Sequence, residues 1–191
     1  MRIRPGWLLL LTAAAVVAVD QATKALVRAS LPVQRPVWLI PRVLSLDHVQ
    51  NAGAAFSMFQ GQRFVFIGIT LVVLAAVAWA WYRYQPRNAW VVVALGLVVG
   101  GALGNLVDRS VAGTVTDFID AQVWPVFNVA DSSVFIGEAI LVVWLIFFAG
   151  KEPRAAVEAE GAGAPTGDAA AVDSEIAAPT APRDRGGEDR G

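Results

Sequence analysis

The 191-residue chain has no cysteine and a single histidine, His48. The first absence excludes disulfides, thiolate metal sites and cysteine nucleophiles. The second leaves almost no material for a His-rich metal site or a His-dependent triad. Acid–base chemistry, if there is any, falls mostly to Asp, Glu and Lys. Charge is scarce too: 16% of residues are charged and 56% hydrophobic, against the roughly 25% charged residues of a soluble domain. The charge is also badly mixed. Residues 1–150 carry ten Lys/Arg and seven Asp/Glu, a formal +3; residues 151–191 carry five and nine, a formal −4. The net −1 of the whole chain hides this split and argues against nucleic acid as a partner.

What the chain does have is apolar length. Four segments stand out: Trp7 to about Ala29, Phe64 to Tyr82, about Ala89 to Val107, and about Ser132 to Ala149. Each approaches the roughly 20 residues of a membrane-spanning helix. Arg2 and Arg4 precede the first, Arg83 and Arg87 link the second and third, and Lys151 and Arg154 follow the fourth. The positive-inside rule puts all of these on the cytoplasmic side, with the connections at about 30–63 and 108–131 facing outward. Arg35, Arg42 and Arg63 weaken that pattern without reversing it. The N-terminus has the look of a signal peptide, but Asp20, Lys24 and Arg28 continue along one helical face, so the helix is expected to run on. Alternation through Val43-Leu44-Ser45-Leu46-Asp47-His48-Val49 predicts a short strand or two at the membrane surface. Residues 151–191, rich in Ala, Gly, Pro and acids, read as a disordered tail beside a 1–150 membrane domain.

Polar residues within or beside such spans are costly, so they are read as functional first. Asp117 lies in Val115-Thr116-Asp117-Phe118 and Asp131 in Phe127-Asn128-Val129-Ala130-Asp131. Two neighbouring acids can share a proton and activate water. Helix rise sets the depths. From Trp7 to Asp20, from Ala89 to Asn105 and from Ala149 back to Asp131 are roughly 20, 24 and 27 Å at about 1.5 Å per residue. Three spans thus bring Asp20, Asn105 and Asp131 to one outer layer of a ~30 Å slab. Lys24, Asp108 and Arg109 are expected just above it.

Each feature also has a plainer reading. Asp20 and Lys24 form an i,i+4 pair in any helix. Gly96, Gly100 and Gly104, with Gly101 beside them, mark a close-packing face. Arg109 suits a helix C-terminus. Asn51-Ala52-Gly53 reads as a turn, Asn128 as a cap and His48 as an exposed loop residue. Glu138, two turns below Asp131, is expected to face the bundle interior and donate a hydrogen bond. Its role there is either an interhelical tie or the tuning of the proton shared by the acids above it.

Five blocks in order resemble the bacterial lipoprotein signal peptidase (signal peptidase II) family. They are Asp20-Gln21-Ala22-Thr23-Lys24, Asn51-Ala52-Gly53-Ala54-Ala55-Phe56, Gly100 to Arg109, Val115-Thr116-Asp117-Phe118, and Phe127-Asn128-Val129-Ala130-Asp131. The resemblance implies an all-α membrane protein of four transmembrane helices with both termini cytoplasmic. A small extracytoplasmic β-sheet between helices 1 and 2 would cradle substrate. Asp117 and Asp131 would be the catalytic dyad. Asn51, Asn105, Asn128 and Arg109 would hold substrate backbone and lid, supported by Asp20, Lys24, Gly53 and Asp108. The substrates would be prolipoproteins bearing diacylglyceryl-Cys, cut just before that Cys. No metal or cofactor would be needed. The enzyme would work as a monomer in the lipid of the bacterial cytoplasmic membrane, with its site near the outer leaflet. A small carrier or channel subunit, and a scaffold whose polar layer only packs helices, are the competing classes. Both predict that Asp117→Asn and Asp131→Asn leave prolipoprotein processing intact.

Overall fold

The computed structural model describes residues 5–33, 35–53 and 62–148. Ala54-Ala55-Phe56 of the second block, the N-terminal Arg2 and Arg4, and the tail expected at 151–191 lie outside them. Four long helices carry the apolar segments: α1 Pro5–Ser30, α2 Arg63–Tyr84, α3 Ala89–Val111 and α4 Val129–Phe147. All four are long and apolar enough to cross a membrane. Their ends follow local chemistry. Pro5 opens α1, where its missing N–H costs nothing. Gln85, in the left-handed region at φ 44°, closes α2 with its N–H on the Trp81 carbonyl, and Pro86 follows. Asn88 then caps α3 by accepting from the backbone of Trp90 and Val91.

α3 is the central helix. It packs on α1 and α4 along most of its length and on α2 more sparsely. Glycines on α3 and α4 permit this closeness. A Cβ on Gly96 would stand 2.7 Å from the Thr12 side chain of α1, and one on Gly100 2.7 Å from Val16. A Cβ on Gly101 would strike the Ala130 carbonyl of α4, and one on Gly137 would lie 2.7 Å from the Ala94 carbonyl of α3. The expected small-residue face is therefore real, and it serves two neighbouring helices. The buried apolar core runs through Ala13 and Val16 of α1, Val92, Ala94 and Val98 of α3, and Ala130 of α4. α2 contributes no buried residue; apolar all round, it suits a lipid environment.

The sheet has three antiparallel strands in the order β1 (Val37–Ile40), β2 (Leu44–Asn51), β3 (Val115–Asp120). The expected strands between helices 1 and 2 are β1 and β2. The third was not anticipated: it comes from the connection between α3 and α4. β3 carries no clean alternation because Val115, Thr116, Asp117 and Phe118 are all buried, so both of its faces are covered. Its pairing with β2 is also far apart in sequence, with Gln50 opposite Thr116 and Val49 opposite Asp117.

Two boundaries differ from expectation. α3 continues to Val111, past the Val107 end of the third apolar segment, so Asp108 and Arg109 stand at its C-terminal end, as the helix-dipole reading of Arg109 expected. α4 begins at Val129, which puts Asp131 in its first turn. Polar side chains obscured both ends, since they satisfy backbone or one another inside the fold. His48 is a further correction: it is buried in β2. The register of β2 on β3 shifts between Leu46 and Val49. That bulge turns His48 inward, where its Nδ1 lies 3.0 Å from the Leu31 carbonyl.

Candidate active site

The start of α4 is a capping box. Asn128 Oδ1 accepts the Asp131 backbone N–H at 2.9 Å, and the Asp131 carboxylate accepts the Asn128 N–H at 3.2 Å. A capping asparagine still has its amide N–H groups to spend. Asn128 Nδ2 reaches Asp117 Oδ1 at 2.6 Å and Asn105 Oδ1 at 3.2 Å. One fully buried side chain thus ties the two acids together.

Asp117 sits in the middle of β3 and is 3% exposed. Its second oxygen accepts from Asn51 Nδ2 at 2.9 Å. Asn51 is the last residue of β2, two positions along from Val49, which faces Asp117 directly, so the contact is diagonal across the sheet. Burial pushes the Asp117 carboxyl up from 3.8 to about 6, and the negative charge of Asp131 adds to this. The hydrogen bonds from Asn51 and Asn128 and the charge of Lys24 pull the other way. Asp131, on α4, takes its strongest hydrogen bond from Asn105 Nδ2 at 2.7 Å.

Behind the acids lies a buried charged cluster. Lys24 is fully buried and bridges Asp20 and Asp108, at 2.8 Å each. Its ammonium also donates to Asn105 Oδ1 at 2.9 Å. Asp20 turns its other oxygen to the Ala130 N–H at 2.9 Å, which meets one of the four donors left open at a helix start. So the Asp20–Lys24 pair is both the expected i,i+4 contact and part of the site's support. Both acid sites are therefore fixed on three helices and two strands.

Of the ten residues singled out from the sequence, nine converge: Asp20, Lys24, Asn51, Asn105, Asp108, Arg109, Asp117, Asn128 and Asp131. Gly53 stays at the margin; its N–H donates to Asn51 Oδ1 at 2.9 Å, which holds the Asn51 turn in place. Arg109 lies with its guanidinium over the Phe66 ring of α2, 5.0 Å from the centroid. Four contributors were not named. Gln21 donates to Asp20, Asp108 and the Gly104 carbonyl, at 3.1–3.2 Å. Arg28 bonds Thr116 Oγ1 at 3.0 Å. Gln50 donates to Thr116 Oγ1 at 3.3 Å and stands 2.9 Å from His48 Nε2. The stripe Asp20, Lys24, Arg28 was the one sequence signal able to find Arg28. Gln50 gave none, and Thr116 stood in the fourth block without a role, because only the strand register brings them together. Among the described residues, no group of three or more His, Asp and Glu is placed to hold a metal ion.

The sequence profile of the signal peptidase II family matches residues 12–147, a span that holds every one of these side chains. The chain belongs to the signal peptidase II family. A lipoprotein signal peptidase of Halothermothrix orenii is 45% identical over 131 residues, 68% of this chain and 89% of its own. One from Rhodococcus jostii is 44% identical over 153 residues, 76% of this chain and 75% of its own. Among solved structures, a bacterial membrane enzyme determined by the in meso method at 2.3 Å superposes with a TM-score of 0.71 and 32% identity. The match covers 76% of this chain and 92% of that one. Family membership makes the chain a peptidase, and its four apolar helices suit a bacterial inner membrane.

Proposed function

We propose that this chain is a membrane-embedded aspartic endopeptidase that removes signal peptides from diacylglyceryl-modified prolipoproteins, cutting just before the lipidated Cys. The observation that carries the aspartic reading is the pair Asp117 and Asp131, held by the two ends of Asn128. In this mechanism the pair holds one proton. The ionised carboxylate takes a proton from water, whose oxygen attacks the scissile carbonyl carbon. The protonated carboxyl hydrogen-bonds the carbonyl oxygen. The resulting diol collapses as the amide nitrogen receives a proton and the C–N bond breaks. A carboxyl raised to about 6 suits a pair that keeps one proton in mildly acidic conditions, where an ordinary carboxylate has already lost it. Asn51, Asn105 and Asn128 hold the carboxylates, and Arg109 supplies a forked donor for substrate backbone beside them.

The lipoprotein substrate comes from the relatives, which are named lipoprotein signal peptidases. In the same reading both termini are cytoplasmic and the site lies near the outer leaflet. The Arg83 and Arg87 link joins the ends of α2 and α3 remote from the acids, which favours this orientation. β1, with Val37, Trp38, Leu39 and Ile40 all exposed, offers an apolar edge fit to rest against acyl chains. The chain acts as a monomer, with residues 1–150 as the peptidase and 151–191 as a cytoplasmic tail. The test is cleavage of a diacylglyceryl prolipoprotein by the purified protein in liposomes, wild type against Asp117→Asn. The wild type should release the signal peptide and the variant should not. Equal cleavage by both would overturn the aspartic reading, and no cleavage by the wild type would overturn the substrate reading.

A further inference from the structure

Glu138 is expected inside the bundle on sequence grounds, but the structure puts it on an exposed face of α4. Its neighbour Gly137 takes the buried place, with the Ala94 backbone of α3 directly against it. Glu138 forms no hydrogen bond or ion pair with any described residue. It is the only charged residue between Asp131 and the end of α4. By helix rise it lies about 16 Å in from the cytoplasmic edge, near the middle of the hydrocarbon. A carboxyl turned toward lipid at that depth is expensive unless something polar meets it.

The direction of this face is informative. Glu138 is seven residues after Asp131, two helical turns within about 20°, so both project from the same flank of α4. At the level of Asp131 that flank looks toward Asn105, and one turn on along α3 Arg109 lies over Phe66 of α2. Glu138 therefore lies on a stripe that leads from Asp131 down an exposed flank of α4. The rest of the stripe is apolar and open: Phe135 is 72% exposed, Val142 54% and Leu145 65%.

We propose that this stripe is the track for the apolar segment of the bound signal peptide, and that Glu138 is a specificity-determining residue on it. The proposal rests on the peptidase reading above. A substrate whose scissile carbonyl reaches Asp117 and Asp131 must send the residues before it back into the membrane. A helical segment laid along α4 rises as α4 does. The substrate residue about seven positions before the cleaved bond then comes level with Glu138. Glu138 selects a hydrogen-bond donor there, a hydroxyl or side-chain amide, because that group meets the carboxyl where lipid cannot. Purely apolar segments remain substrates without this contact.

The experiment uses synthetic diacylglyceryl prolipoproteins with an apolar Leu/Ala segment into which one Gln is moved from about four to about eleven positions before the cleavage site. The full-length enzyme in liposomes is the wild type, Glu138→Gln or Glu138→Leu. For each enzyme the readout is the kcat/KM of every Gln peptide divided by that of the all-apolar parent. The wild type should show a peak about tenfold high near seven positions before the cut, worth one hydrogen bond. Glu138→Gln should keep the peak and Glu138→Leu should flatten it. A flat profile in the wild type overturns the proposal without any variant, as does a peak that survives in Glu138→Leu. If the parent itself is not cut, the peptidase reading fails and this proposal with it. A cleaved parent with a flat profile removes the proposal alone.

Discussion

Lys24 decides which way Asn105 faces. An ammonium has only donors, so the Asn105 oxygen must turn to Lys24 Nζ, at 2.9 Å. The amide nitrogen is thereby aimed at Asp131, at 2.7 Å. The charge of a fully buried lysine on α1 thus reaches a carboxylate on α4 through one amide on α3. The same lysine balances Asp20 and Asp108, so position and charge at the acids depend on one cluster.

Removing Lys24 alone should be severe. Lys24→Met leaves Asp20 and Asp108 buried without their counter-ion, and breaking such a pair costs about 3–5 kcal/mol. Thermal unfolding in detergent should show a large drop in midpoint. The triple change Asp20→Asn, Lys24→Met, Asp108→Asn should recover much of it. A single variant as stable as the wild type would mean that the cluster is not what holds α1 to α3 and α4.

Asp117 and Asp131 should behave as one unit. Asp117→Asn and Asp131→Asn should each abolish cleavage, and the double variant should be hardly worse than either. Near-normal turnover by one single variant at equal protein level would remove it from the chemistry.

The raised Asp117 carboxyl predicts a pH-dependent stability. The folded protein binds a proton at about 6, where the unfolded chain waits until about 3.8. Its contribution is therefore fully present below about 3.8 and is lost as pH rises through about 6. Over that window the wild type should lose on the order of 3 kcal/mol relative to Asp117→Asn. Unfolding midpoints of the two proteins, followed from pH 4 to 7, should diverge in slope. Parallel slopes would show that burial does not set this carboxyl.

Gly101 should be intolerant of a single methyl group. A Cβ there meets the Ala130 carbonyl and stands 2.7 Å from Val134, so α4 must move away, and Asp131 with it. A displacement near 1 Å is enough for a loss of about a hundredfold in rate. Gly68→Ala on α2, where nothing lies within 4 Å, serves as the control and should be neutral. Equal activity of the two variants would argue that α4 carries no critical geometry.

Truncation after Arg154 should leave cleavage in liposomes unchanged, since the acidic tail has too little apolar bulk to build part of a site. A large loss in correctly inserted protein would assign the tail a regulatory or recruiting part.

Much of this protein is determined by its sequence alone. Helix length and apolar composition fix four spans, because a bilayer-scale run of such residues has few other stable arrangements. Helix rise brings Asp20, Asn105 and Asp131 to one level, since distance along a helix is set by residue count. The five blocks name the family. Tertiary structure decided the rest. β3 is a strand because β2 and the helices around it cover it, which a stretch without alternation does not announce. Asn128 proved to be both a cap and a link between the acids, because its two ends meet partners from separate elements. His48 turned inward at a bulge, and Glu138 turned outward because the close approach of α3 was reserved for Gly137. Rise along a helix is local, but which face meets a neighbour depends on how the other helices pack, and no single segment contains that information.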